Sequence, residues 1–116
     1  MRHAMAGINA QVNAMNDAIA HRGPDGSGVF VDQGIGIGHR RLAILDLSQA
    51  GAQPMFNADR SLVLVFNGEI YNYLELMTEL RGAGYEFRSR SDSEVILHAY
   101  AEWGEACVER FNGMWA

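Results

Sequence analysis

The stretch from Leu62 to Leu80 constrains this chain more than any other. Leu62-Val63-Leu64-Val65 is an apolar run bounded by Ser61 and Asn67, the pattern of a buried strand. Beyond it, Leu74, Met77 and Leu80 recur every three residues, as on one face of a helix. Asn67-Gly68 therefore sits where a strand turns toward a helix. One reading of that pair is a plain turn, because both residues tolerate positive φ. The other is chemical. An amide side chain beside an unhindered backbone N–H can aim two donors at one point, as an oxyanion hole requires. Glu69 adds a carboxylate next to them, and the local sequence leaves both readings open.

The first apolar set, Met5, Ile8, Val12, Met15 and Ile19, alternates spacings of three and four. That is one face of an amphipathic helix beginning almost at residue 1 and lacking a Ser, Thr or Asp cap. His21-Arg22-Gly23-Pro24 should end it, with Pro24-Asp25-Gly26-Ser27-Gly28 as turn chemistry. Val29-Phe30-Val31, a loop at Asp32-Gln33-Gly34 and Ile35-Gly36-Ile37-Gly38 then read as a hairpin. The apolar positions are odd before Arg41 and even after it, at Leu42 and Ile44, which predicts a bulge or bend near His39-Arg40-Arg41. Leu45 to Arg60 reads as a long loop of the kind that carries function. A helix from Tyr71 to Arg81, a short strand Tyr85-Glu86-Phe87-Arg88, and a helix opened by a Ser91-x-x-Glu94 capping box follow. Glu105 to Phe111 adds a further helical turn or two. Strands mixed with segregated helices indicate an α+β fold.

With 116 residues and a net charge of −5 the chain is one domain or a piece of one, without the basic patch that nucleic acid demands. No apolar run is long enough to span a bilayer, and the N-terminus lacks the apolar core of a secretory signal. Cys107 is the only cysteine, so no intrachain disulfide forms, which points to a reducing cytoplasm. It reads as a buried core thiol. His3, His21, His39 and His98 show no metal-ligand spacing, and His21 and His39 read as structural hydrogen-bonders.

Five motifs in register carry a resemblance: His21-Arg22-Gly23-Pro24-Asp25-Gly26, Gly38-His39-Arg40-Arg41-Leu42-Ala43-Ile44, Gly51-Ala52-Gln53-Pro54-Met55, Asn67-Gly68-Glu69-Ile70-Tyr71-Asn72 and Ser91-Asp92-Ser93-Glu94-Val95-Ile96-Leu97. Together, from about Met15 to Ala116, they resemble the N-terminal glutaminase domain of glutamine-hydrolysing asparagine synthetases. That domain is a class II glutamine amidotransferase of the N-terminal-nucleophile hydrolase type. The resemblance implies a four-layer αββα sandwich and glutamine hydrolysis by an N-terminal cysteine whose α-amino group is the base. It implies oxyanion donors at Asn67 and Gly68, and a glutamine site built from Arg41, Leu42, Ile44, Glu69 and Asp92. Arg41 suits the α-carboxylate and Asp92, with Glu69 beside it, the α-ammonium. Taken alone, Arg41 reads as a solvated surface arginine, Asp92 as a helix-start residue and Glu69 as an exposed turn carboxylate.

The resemblance also implies a partner, a C-terminal synthetase domain that uses ATP and Mg²⁺, with no cofactor or metal held by these residues. It leaves a homodimer open. The family's nucleophilic cysteine, first strand and later strands have no counterpart here, so the expectation is a partial domain, 1–116, inactive by itself. Two further readings stand beside it: a non-catalytic amino-acid-binding module, and the glutaminase of a related amidotransferase with another acceptor, of the polysaccharide-cluster or β-lactam synthetase type.

Overall fold

The computed structural model describes all 116 residues, Met1–Ala116. Helix α1 (Arg2–Ala18) lies against a hairpin of β1 (Gly26–Asp32) and β2 (Ile35–Arg41). The helix packs the first part of its predicted apolar stripe, Met5, Ile8 and Val12, and then turns Asn16 inward in place of Met15 and Ile19. Val12 and Asn16 are buried and Ile8 is half-buried, whereas Met15 is 68% and Ile19 47% exposed. The partner strand explains this. A Cβ at Gly36 would lie 2.5 Å from the Ile8 side chain, and one at Gly38 would lie 2.6 Å from Asn16 Oδ1. The two glycines thus form a flat seat, and the Asn16 amide donates into it, to the Gly28 carbonyl at 3.1 Å.

Gln33 and Gly34 make the two-residue turn, with φ of +41° and +89°, as a right-twisted hairpin favours. The predicted bulge is absent: pairing runs unbroken from Asp32↔Ile35 to Gly26↔Arg41. The parity switch marks the end of β2, where the chain leaves the ladder after Arg41.

The long loop contains a 3₁₀ turn (Gln49–Gly51) and β3 (Met55–Phe56), which pairs antiparallel with β4 (Val63–Leu64). The predicted strand at Leu62–Val65 is thus only two residues long. Asn67-Gly68 is not a hairpin turn. Gly68 opens β5 (Gly68–Ile70), which pairs antiparallel with β6 (Gly113–Trp115). The chain turns after Ile70 and enters α2 (Tyr73–Gly82), which buries Leu76, Met77 and Leu80 but leaves Leu74 62% exposed.

Tyr85–Arg88 alternates in burial as expected, yet no strand lies beside it. Its inward rings pack instead on the imidazole of His98, at centroid distances of 5.1 Å for Tyr85 and 4.7 Å for Phe87. Helix α3 (Asp92–Trp103) is capped by Ser91 Oγ, which accepts from Ser93 N at 3.1 Å. The other half of the capping box is redirected: Glu94 reaches back to the Arg88 and Ser89 amides, at 2.8 and 2.7 Å. A 3₁₀ segment (Gly104–Arg110) leads to β6, and Asn72 fixes its end through the Arg110 carbonyl and the Asn112 amide. Phe66, Ile70, Leu76, Met77, Leu80, Val95, Ala99 and Cys107 form the core between β5, α2 and α3. Cys107 is a buried free thiol whose pKa burial pushes up. The mixture of helices and antiparallel strands is the α+β class, and no helix is long and apolar enough to cross a membrane.

Candidate active site

One cavity of about 450 Å³ gathers all seven residues singled out in the sequence: Arg41, Leu42, Ile44, Asn67, Gly68, Glu69 and Asp92. They arrive from three places, namely the end of β2 with the loop after it, β5 with the residue before it, and the first residue of α3.

Arg41 is delivered by the last pair of the hairpin and is 9% exposed. Its guanidinium donates to the Ser48 carbonyl at 2.6 Å and to the Asp46 carbonyl. Two of its five N–H groups are thereby used, and the rest have no protein acceptor. The loop it grips is itself knotted. Asp46 accepts from the amide and hydroxyl of Ser48 and from the Arg90 amide, bonds that hold its carboxyl below the usual range. Asp25 supports the other flank: its amide donates to the Arg41 carbonyl at 2.9 Å, and its carboxylate accepts from Ala43 N at 2.9 Å. Leu42 and Ile44, 58% and 60% exposed, form the apolar rim beyond this staple.

The ladder between β5 and β6 decides where the Gly68 amide points. Asn67 and Ala116 exchange both backbone bonds, at 3.2 and 2.8 Å, and Tyr71 donates to Asn112 at 2.6 Å. Antiparallel pairs alternate, so Gly68 and Ile70 occupy the non-hydrogen-bonded positions between them, and both N–H groups leave the strand on its outer edge. The Ile70 amide donates to Asp92 Oδ2 at 2.8 Å. The Gly68 amide faces the same edge with no ladder partner. Glycine is required there: φ is +154°, and a Cβ would lie 2.2 Å from the Met114 carbonyl. The Asn67 carboxamide beside it makes no protein hydrogen bond, and the Asn67 residue is exposed. Asp92 is 6% exposed and keeps Oδ1 without a protein donor.

His39 and Gln53 also line the cavity. His39 Nε2 donates to the Phe66 carbonyl at 3.2 Å, in the tautomer that bond requires, while its buried Nδ1 has no partner. Burial, opposed by the Phe66 bond and reinforced by Arg41, lowers its pKa and favours the neutral ring. Histidine 39 is thus the structural hydrogen-bonder expected, but His21 is not, being exposed and without a side-chain bond. Arg22, Gln53 and Asp25 have positions the residue-level reading did not anticipate. Asp25 reads in sequence as turn chemistry, and Gln53 as part of a motif without a role. No group of three or more His, Cys, Asp or Glu side chains is placed to hold a metal ion.

A cavity with free guanidinium N–H groups on Arg41, a free oxygen on Asp92, the Glu69 carboxylate beside it and the amide donors of Asn67 and Gly68 suits an amino acid that carries a side-chain carbonyl. The chain belongs to the glutamine amidotransferase domain family, whose model matches residues 2–116, further toward the N-terminus than the motifs alone reached. It is 46% identical to a putative asparagine synthetase [glutamine-hydrolyzing] 2 of Methanocaldococcus jannaschii, across 94% of this chain and 24% of that protein. It is 45% identical to asparagine synthetase [glutamine-hydrolyzing] 1 of Bacillus subtilis, across 90% of this chain and 16% of that one. With asparagine synthetase [glutamine-hydrolyzing] 2 of Oryza sativa subsp. japonica it shares 42% identity, across 92% and 18%. The chain spans about a quarter or less of the length of these relatives.

Proposed function

We propose that these residues form the glutamine-binding and oxyanion-stabilising part of the glutaminase domain of an asparagine synthetase. The observation that carries the reading is the free Gly68 N–H beside the free Asn67 carboxamide, on the strand edge that Asp92 also caps. In this reading glutamine's α-carboxylate lies on the unused N–H groups of Arg41 and its α-ammonium on Asp92 Oδ1, with Glu69 alongside. The side-chain carbonyl then meets Asn67 and Gly68, and Leu42 and Ile44 shelter the methylenes. As a thiolate attacks the amide carbon, charge moves onto that oxygen, and the two donors act where charge develops. The cavity lining contains no thiol, and Cys107 lies in the core instead. The attacking cysteine of the reading is therefore not among the cavity residues. The four-layer αββα arrangement, the partial domain 1–116, the ATP- and Mg²⁺-using synthetase portion that receives the ammonia, and a cytoplasmic setting belong to the same proposal.

The test is ammonia release from glutamine by the full-length protein that carries this segment. Asn67→Ala is expected to lower kcat by about 10²–10³-fold, the usual effect of removing one oxyanion donor. Arg41→Lys should mainly raise KM, because a point charge cannot replace a planar fork. The 116-residue chain by itself should release no ammonia from glutamine. Wild-type kcat in Asn67→Ala, or turnover by the isolated chain that Cys107→Ala abolishes, would refute the reading.

A further inference from the structure

We propose that Gln53 is a positioning residue: a single carboxamide that sets the oxyanion donors and the ammonium acceptor together. The inference rests on the roles given above to Asn67, Gly68 and Asp92.

The outer edge of residues 66–70 is the starting point. Backbone groups of alternate residues face the same side of a strand, so Phe66, Gly68 and Ile70 share that edge. No strand pairs with it, yet its flanks are satisfied by side chains. Phe66 N donates to Gln53 Oε1 at 2.6 Å, the Phe66 carbonyl accepts from His39 Nε2 at 3.2 Å, and Ile70 N donates to Asp92 Oδ2 at 2.8 Å. Three side chains from three elements thus pin the segment at both ends and leave the Gly68 N–H open between them. An unpinned edge would wander or recruit water, and a donor displaced by 1 Å loses much of its effect on the barrier.

Gln53 differs from the other two pins because it has a second end. Its Nε2 donates to Ser93 Oγ at 3.2 Å, and Ser93 follows Asp92 in the first turn of α3. The carboxamide therefore spans from the residue before Asn67 to the residue after Asp92. It fixes the spacing between the group that meets the side-chain carbonyl and the group that meets the α-ammonium. A carboxamide supplies an acceptor at one end and a donor at the other without carrying a charge.

The experiment compares variants of the full-length protein by glutaminase kinetics, with thermal melting of each. Gln53→Met keeps the length of the side chain and removes both bonds. It is expected to lower kcat about 10–100-fold and to raise KM for glutamine. Gln53→Glu keeps the acceptor for Phe66 N and should recover most of the lost kcat. Ser93→Ala releases only the α3 end and should raise KM with a smaller loss of kcat than Gln53→Met. A kcat within about twofold of wild type in Gln53→Met, or a Gln53→Glu no better than it, overturns the inference. Asn67→Ala separates the two levels. If it is impaired while Gln53→Met is not, only the positioning role fails; if neither is impaired, the oxyanion assignment fails with it. Should Gln53→Met not fold, Gln53→Glu and Ser93→Ala decide by the same criteria, since a near-wild-type KM in Ser93→Ala removes the link to Asp92.

Discussion

In the half of the molecule built from β5, β6, α2 and α3, eight buried residues close into one cluster, and Leu80, Val95 and Ala99 are fully covered. In the half built from α1 and the hairpin, Val12 is the one buried apolar side chain, and Asn16 is buried beside it. The first half is held by apolar burial, the second by a glycine seat, a polar staple and a continuous ladder. The cavity lies on the seam. The cored half supplies the N–H donors of Asn67 and Gly68 and the carboxylate acceptors of Glu69 and Asp92. The polar half supplies Arg41, whose long side chain is steadied by loop carbonyls. Apolar burial is spent where geometry is strictest.

The bluntest way to break this contrast is to cut into the core. Leu80→Ala removes a side chain with no exposed surface and should cost about 2–5 kcal/mol in denaturant unfolding, through lost transfer energy and a cavity. A cost below about 1 kcal/mol would mean that the cluster does not carry this half.

Acid sharpens the contrast from the polar side of the same half. Glu94 is buried, which opposes its charge, yet its pKa falls from 4.5 to about 2. The Ser89 hydroxyl and the Arg88 and Ser89 amides supply aligned bonds, while His98 Nε2, 3.4 Å away and out of line, acts by proximity. A carboxylate with a depressed folded pKa contributes stability above its unfolded pKa, and that stability is lost as pH falls toward the folded one. Unfolding free energy should therefore drop by roughly 3 kcal/mol between pH 4.5 and pH 2, and Glu94→Gln should flatten that slope. His39, whose pKa is also lowered, adds a separate loss beginning near pH 6.5. Acid sensitivity that is unchanged in Glu94→Gln would remove Glu94 from this account.

Asn16→Ala probes the polar half directly. It leaves the Gly28 carbonyl without its amide donor at a buried seam, and should cost about 1–3 kcal/mol. The loss should appear as faster amide exchange in β1 and β2 with α2 and α3 still protected. Uniform loss of protection would show that the two halves unfold as one.

The legibility of the sequence follows the same division. Periodicity placed all three helices, because helix faces repeat locally. Turn chemistry placed the hairpin, because Gln33-Gly34 needs only its own φ angles. The strand at Tyr85–Arg88 failed, since alternation reports which side chains face inward and cannot report whether a neighbouring strand exists. Asn67-Gly68 failed as a turn because its true partner, β6, lies more than forty residues away in sequence. The seven site residues share one cavity, yet only the motifs in register pointed to them jointly. Gln53 and Asp25 escaped because their work is done through bonds to Phe66, Ser93 and Ala43, which no local pattern encodes.

The smallest effect concerns the helix face that the apolar spacing singled out. If that stripe were packed throughout, Met15 would be a core residue and its replacement would cost as much as that of any buried methionine. It is 68% exposed instead, and Asn16 occupies the inward position beside it. Met15→Ser should therefore change the unfolding free energy by no more than about 0.5 kcal/mol, with a slight loss of helix propensity as the main contribution. Measured together with Asn16→Ala, it inverts the usual hierarchy: the polar residue of an amphipathic helix should matter more than its apolar neighbour. The inversion has a physical cause in the Gly36–Gly38 seat, on which Val12 and Asn16 pack closely while the Asn16 amide donates to the Gly28 carbonyl. A cost above 2 kcal/mol for Met15→Ser would place the apolar stripe back in the core and undo the contrast between the two halves.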